Sequence, residues 1–140
     1  VCTLCRPFDD QSVMRIRLET NAYYLMLQAV QDGKYTMVVS LAHFEEINAI
    51  SDPEERREAL AVLAKLGTTS EYDSTAVRAR AVELHSRELG IADAAHVALA
   101  EATADFFITC DDRLLRQCKT QRVAIITMNP VEFTITEDLK

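Results

Sequence analysis

The sequence has few residues that break regular structure and no long apolar segment. It contains three glycines, three prolines and no tryptophan among 140 residues, and 49% of the residues are hydrophobic. Disordered and collagen-like chains need far more glycine and proline, and a membrane span needs about 18 or more consecutive apolar residues. These absences predict a soluble protein without a membrane span, in which residues 1–140 form a single globular domain.

Basic side chains are also scarce. The chain has 15 lysines and arginines against 22 acidic residues, which gives a formal net charge of -7. A protein that binds nucleic acid mainly by neutralising phosphates has the opposite balance, so any nucleic-acid binding here must depend on a local site. The chain starts at Val1 without an initiator methionine, so we expect residues ahead of it. No secretory pattern is visible, which favours a cytoplasmic location.

Four cysteines are too few to build a disulfide scaffold in a chain of this composition. Cys2 and Cys5 have the C-x-x-C spacing of redox and zinc sites, but a zinc ribbon would need a second close pair, and Cys110 and Cys118 lie eight residues apart. We expect Cys2 in a first strand and Cys5 in the turn after it, as small buried thiols. A C-x-x-C redox or zinc protein is kept as a second alternative.

Hydrophobic periodicity alternates between helical and extended patterns along the whole chain. The patterns predict helices over about residues 12–31, 41–50, 53–67, 74–89, 91–103 and 111–119, and strands over about residues 35–39, 68–72, 106–109 and 123–127. The strands are apolar without alternation, which is typical of parallel strands buried on both faces. The sequence therefore predicts an α/β fold with a mainly parallel central sheet and helices on both faces.

Acidic residues follow the predicted strands. In an open parallel sheet ligands bind beyond the carboxyl ends of the strands, so acids at those positions are candidates for a site. They are Glu45, Glu46, Asp93, Asp111 and Asp112. A single acid at such a position is commonly a helix cap, whereas several that converge repel one another unless a cation lies between them.

Two of the three histidines lie one helical turn from an acid. His43 precedes Glu46 by three residues, and Asp93 precedes His96 by three, so each pair shares a helix face. Two such pairs would suit a di-iron helix bundle, but the alternation of strands with helices argues against that fold. Each histidine alone is more commonly a packed helix residue than a ligand.

Five segments, taken in order and with their spacing, resemble the PIN domain family, in particular the VapC-type bacterial proteins related to toxins of toxin–antitoxin systems. They are residues 4–11, residues 44–47 with Asp52-Pro53, residues 93–96 with Ala100-Glu101, residues 107–115 and residues 128–133. The resemblance implies a three-layer α/β/α sandwich with a mainly parallel central sheet. It also implies a metal-dependent endoribonuclease that hydrolyses RNA phosphodiester bonds.

The resemblance assigns roles to individual acids. It implies that Glu46, Asp93 and Asp111 are the catalytic residues and that they hold Mg²⁺ or Mn²⁺, hard cations that prefer oxygen ligands. Asp112 and Glu45 are runner-up positions, each adjacent to a favoured one. The first aspartate of the family would fall immediately ahead of Val1, and we interpret the chain as truncated just past that residue.

Substrate binding is assigned to Arg6, Arg113 and Arg116. Arg6 follows the predicted first strand, and the other two lie in a basic stripe on the helix that starts at Asp111, although such a stripe also complements the helix dipole. The resemblance implies an RNA substrate, a possible cognate antitoxin protein and a homodimer. The first alternative is a non-catalytic PIN-fold module that binds RNA or protein.

Overall fold

The computed structural model describes residues 1–140, in which helices alternate with short strands. The helices are α1 (Cys2–Cys5), α2 (Met14–Gln31), α3 (Leu41–Asn48), α4 (Pro53–Leu66), α5 (Ser74–Ser86), α6 (Ile91–Thr103), α7 (Asp112–Thr120) and α8 (Pro130–Thr136), and a 3₁₀ turn covers Arg6–Phe8. The strands are β1 (Met37–Val38), β2 (Gly67–Thr68), β3 (Phe106–Ile108) and β4 (Ile126–Met128). The mixed α/β class predicted from the sequence is confirmed.

The strands form two separate parallel pairs instead of one central sheet. β1 pairs with β2, with Met37 opposite Gly67, and β3 pairs with β4, with Phe106 opposite Ile126. Each pair is connected through helices, as parallel strands require. The predicted parallel direction is therefore confirmed, and the predicted continuous sheet is not observed.

Several predicted elements are longer than the observed ones. The strand expected over residues 68–72 ends at Thr68, because the residues after it are polar or exposed and cannot be buried on two faces. Tyr35 lies ahead of β1 and packs edge-on against Phe133. The fifth helix ends at Ser86 because Glu88 adopts a left-handed φ of 77° and turns the chain away.

The segment that starts the chain is helical, contrary to the expectation of a strand and a turn. The N–H of Cys5 donates to the carbonyl of Val1 at 3.2 Å, which closes the single turn of α1. A short apolar run does not distinguish a strand from a helix by its pattern, and this explains the wrong prediction. Cys2 is exposed and Cys5 half-buried, contrary to the expectation of two buried thiols, whereas Cys110 and Cys118 are buried.

Two apolar clusters form the interior. One joins α5, α6 and α7 through Leu84, Leu89, Ala94, Val97, Ala98, Leu114 and Cys118, and the other joins the end of β1 to α3 and α4 through Val39, Ile47, Ala59 and Leu63. The small side chains of α6 allow it to pack closely against α5, as its alanine content suggests. No helix has both the length and the apolar character needed to cross a membrane.

Candidate functional site

A cavity of about 760 Å³ lies between the two strand pairs. Residues 36–39 and residues 106–109 line it, and β1 and β3 each pair with a neighbour on one side only. Glu46, Asp93 and Asp111 line the same cavity. The structure thus brings to one place the three acids that the sequence assigned from three distant segments, and we call this space the acidic cavity.

Asp111 enters the acidic cavity from the turn between β3 and α7. One of its carboxylate oxygens accepts a hydrogen bond from the N–H of Leu114 at 3.1 Å, so Asp111 is the N-cap of α7. Its own N–H donates to Oγ1 of Thr109 at 3.2 Å. The capping bond uses only one of the carboxylate oxygens and fixes the direction of the other.

Asp93 lies in the first turn of α6 and is half-buried. The N-cap of that helix is Gly90, which offers no side chain, and no side-chain capping bond forms there. Burial raises the pKa of Asp93, the nearby Asp111 and Glu46 raise it further, and His96 lowers it. The three carboxylates are therefore close enough to repel one another, a condition that a bound cation relieves.

Glu46 is held by a histidine from another helix. Its Oε1 accepts a hydrogen bond from Nε2 of His96 at 2.7 Å, and His96 is only 9% exposed. The ring of His43 lies 4.6 Å from the ring of His96. His43 and Glu46 on α3 do not hydrogen-bond to each other, and neither do Asp93 and His96 on α6, although their spacing suggests such pairs. Glu46 bonds instead to His96 on the other helix.

His43 makes its hydrogen bonds with Ser40 and stabilises the start of α3. Its Nδ1 accepts hydrogen bonds from the N–H of Ser40 at 3.1 Å and from the hydroxyl of Ser40 at 3.0 Å. Burial lowers the pKa of His43 to about 4, and the neighbouring His96 lowers it as well. His43 is therefore neutral at pH 7, with its proton on Nε2.

The runner-up acids occupy different surroundings. Arg15 donates two hydrogen bonds to the carboxylate of Asp112, at 2.5 and 2.7 Å, and lowers its pKa. Glu45 is exposed, and neither it nor Asp112 lines the acidic cavity. Glu46 and Asp111 line the acidic cavity, and these two neighbours do not.

A buried carboxylate that the sequence analysis missed organises the start of the chain. Glu19 is 2% exposed and accepts hydrogen bonds from Nε of Arg6 at 2.7 Å and from Nε of Arg15 at 3.0 Å. Arg6 also pairs with Asp9 at 2.8 Å. The guanidinium of Arg6 is thus already bound to two carboxylates, and the four-residue spacing of Arg15 and Glu19 was the sequence signal for this cluster.

Arg113 and Arg116 are exposed on one face of α7 and line a second cleft, of about 420 Å³, together with Arg87. Its remaining lining residues are Glu88, Gln117, Thr120 and Gln121. All seven residues are polar. None of the three arginines predicted to bind substrate lines the acidic cavity, and Arg6 does not line the second cleft either.

Two Cys-Thr segments meet at the wall of the acidic cavity. Sγ of Cys2 lies 3.2 Å from Oγ1 of Thr109, and Sγ of Cys110 lies 3.7 Å from Oγ1 of Thr3. The neighbouring Cys110 lowers the pKa of Cys2, whereas Cys2 and burial raise the pKa of Cys110. Burial and then the nearby Glu55 raise the pKa of the Cys5 thiol to about 12.

The donor set fits a hydrated divalent cation better than a closed protein cage. No group of three or more His, Cys, Asp or Glu side chains is placed to hold a metal ion by direct ligation, which also disfavours a cysteine zinc site. Mg²⁺ keeps several waters and is commonly held by one or two carboxylates together with substrate phosphates. Asp93, Asp111 and Glu46 supply the oxygen ligands that such an ion prefers.

Comparison with known proteins agrees with the resemblance seen in the sequence. Residues 21–120 match the PIN domain, and Glu46, Asp93 and Asp111 all lie inside the matched region. No curated protein and no solved structure shows significant similarity to the chain. Because the match spans well over half of the chain, the protein belongs to the PIN domain family.

Proposed function

We propose that the protein is a metal-dependent endoribonuclease that hydrolyses RNA phosphodiester bonds at the acidic cavity. PIN domains are commonly nucleases, and many belong to toxin–antitoxin systems. The observation that carries the proposal is the meeting of Glu46, Asp93 and Asp111, from α3, α6 and the start of α7, at one cavity. Burial, and then the neighbouring Asp111 and Glu46, raise the pKa of Asp93, which supports the proposal because groups with perturbed pKa values cluster at functional sites.

In this proposal each acid has a separate task. Bound Mg²⁺ or Mn²⁺ supplies a water of lowered pKa and stabilises the negative charge that develops on the phosphate. Asp93, whose carboxylate caps no helix, and the second oxygen of Asp111 hold the cation directly or through water. Glu46 is oriented by His96 and acts through water or positions the attacking water.

The finer architecture is also part of the proposal. The family relationship supports the three-layer α/β/α sandwich with a mainly parallel central sheet that the sequence analysis expects. The two parallel strand pairs, on either side of the acidic cavity, are consistent with it.

RNA is expected to extend from the acidic cavity towards the second cleft. Helix α7 begins beside Asp111, and Arg113 and Arg116 lie three residues apart on one of its faces. These arginines bind backbone phosphates, whereas Arg6 acts indirectly through Glu19. A cognate antitoxin protein and a homodimer belong to the proposal through the family relationship alone.

The decisive experiment is cleavage of single-stranded RNA by the full-length protein in Mn²⁺. Asp93→Asn and Asp111→Asn should abolish cleavage while circular dichroism shows an intact fold, and excess EDTA should stop the wild-type protein. Asp138→Asn is the control, because that carboxylate is 82% exposed and remote from the cavity lining. Equal cleavage by all three variants, or cleavage in excess EDTA, would overturn the proposal.

The second candidate function is a non-catalytic PIN-fold module that binds RNA or protein, and the arginines of the second cleft support it, because phosphates can bind there without a metal ion. It predicts that the full-length protein retains RNA on a filter without cleaving it, with or without Mn²⁺. Metal-dependent cleavage that is lost in Asp93→Asn would exclude this candidate.

A further inference from the structure

We propose that Cys2 and Cys110 form a disulfide bond when the protein is oxidised by hydrogen peroxide, which creates a reversible modification site in the wall of the acidic cavity. The two residues come from the first helix and from the segment that joins β3 to α7. The proposal concerns a different pair from the C-x-x-C pair, Cys2 and Cys5, that the sequence draws attention to.

The geometry of the two Cys-Thr segments brings the sulfurs together. Sγ of Cys2 lies 3.2 Å from Oγ1 of Thr109, and Sγ of Cys110 lies 3.7 Å from Oγ1 of Thr3. Each cysteine thus contacts the residue directly before or after the other one. A disulfide needs Cβ atoms about 4 Å apart, and these two reciprocal contacts bring the cysteines towards that separation.

Access determines the order of the reaction. Cys2 is exposed and lines the acidic cavity, whereas Cys110 is 5% exposed. Peroxide therefore oxidises Cys2 first, so that Cys2–SH and H₂O₂ give Cys2–SOH and water. The sulfur of Cys110 then attacks that of Cys2, the S–S bond forms, and the hydroxyl leaves with the Cys110 proton as a second water.

The other two cysteines are poorly placed to compete. The Cys5 thiol is half-buried near Glu55 of α4 and makes no contact with Thr109 or Cys110 among the hydrogen bonds of the structure. Cys118 is 1% exposed inside the apolar cluster of α5, α6 and α7. The pairing expected on oxidation is consequently Cys2 with Cys110.

The bond would act on the residue next to Cys110 in the chain, which is Asp111. In the reduced protein, Oγ1 of Thr109 contacts Cys2 and accepts a hydrogen bond from the N–H of Asp111. A covalent link from Cys2 to Cys110 would therefore alter both the contact with Cys2 and the hydrogen bond that holds Asp111. We expect the oxidised protein to cleave RNA more slowly. This consequence rests on the proposed nuclease function, whereas formation of the bond does not.

Peptide mapping tests the bond itself. The full-length protein is treated with hydrogen peroxide, its remaining thiols are alkylated, and it is digested with trypsin without reduction. Cys2 and Cys5 fall in one peptide, which ends at Arg15 because trypsin does not cut between Arg6 and Pro7, and Cys110 falls in the peptide of residues 88–113. The expected product is a cross-link between these peptides that dithiothreitol reverses.

Variants separate the possible pairings. Cys5→Ser should leave the cross-link intact, whereas Cys2→Ser and Cys110→Ala should each abolish it. A disulfide between Cys2 and Cys5, a cross-link between two chains, or oxidation of Cys2 without any cross-link would overturn the proposal.

Activity is measured on the same samples. Peroxide should lower the rate of RNA cleavage by the wild type at least tenfold, and dithiothreitol should restore it. Cys2→Ser should cleave RNA at the same rate with and without peroxide. A cross-linked protein that cleaves RNA at the original rate would overturn the regulatory consequence. Absence of RNA cleavage in any sample would count against the nuclease function, and the mass spectrum would still decide whether the bond forms.

Discussion

Nε2 of His96 donates a hydrogen bond to Oε1 of Glu46 at 2.7 Å, and this bond joins α6 to α3 across the acidic cavity. His96 is nearly buried, whereas Glu46 is 36% exposed. The bond occupies one carboxylate oxygen and directs the other. In metal sites, partners of this kind orient the ligands and tune affinity.

Removal of this bond should weaken metal binding. We expect His96→Ala to lower the apparent Mn²⁺ affinity about tenfold, because Glu46 loses the donor that fixes its carboxylate. His96→Gln, which can still donate, should recover part of the loss. The measurement is a Mn²⁺ titration of RNA cleavage, with His85→Gln as a control outside the cavity. An unchanged Mn²⁺ dependence in His96→Ala would show that the bond has no such role.

The adjacent acids Asp111 and Asp112 should respond differently to the same substitution. Asp111→Asn should abolish cleavage, whereas Asp112→Asn should retain it, because Asp112 pairs with Arg15 outside the cavity. The partners of that pair are 51% and 48% exposed, so its loss should change the unfolding free energy very little. Cleavage rates and urea denaturation of both variants test this. Loss of activity in Asp112→Asn alone would reverse the assignment.

The sequence predicted the features that depend on local signals. Asp52 and Asp73 directly precede predicted helices, a local signal for an N-cap, and they accept hydrogen bonds from the first turns of α4 and α5. The alternation of helices with parallel strands is also observed. The Glu46–His96 and Cys2–Thr109 contacts were not predictable, because residues far apart in the chain meet only through packing. The division into two strand pairs depends on the same long-range arrangement.

Glu19 should contribute more to stability than any exposed acid of the same cluster. Glu19→Gln leaves the charges of Arg6 and Arg15 without their shared carboxylate. We expect a loss of about 2 kcal/mol of unfolding free energy, less than for a fully buried pair because Arg15 is half-exposed. Asp9→Asn, at a 43% exposed side chain, should cost less than about 1 kcal/mol. Urea denaturation compares the two, and equal losses would contradict the buried role of Glu19.

His43 should make the protein less stable as the solution is acidified. Burial, followed by the nearby His96, lowers the pKa of His43 from 6.5 to about 4, whereas Glu46 raises it. Between these two pH values the unfolded chain binds a proton at this position and the folded chain does not, so stability rises with pH and is lost as pH falls. From pH 7 to pH 5 this group should remove on the order of 1–2 kcal/mol of unfolding free energy.

His43→Gln isolates that contribution. A glutamine at the third position of α3 can still accept the N–H of Ser40, as in a capping box, but it does not titrate. The variant should therefore fold at pH 7 and lose less stability than wild type at pH 5, since all other titrating groups are common to both proteins. Urea denaturation of the two proteins at both pH values measures the difference. An identical pH dependence would mean that His43 is protonated as readily in the folded protein as in the unfolded chain.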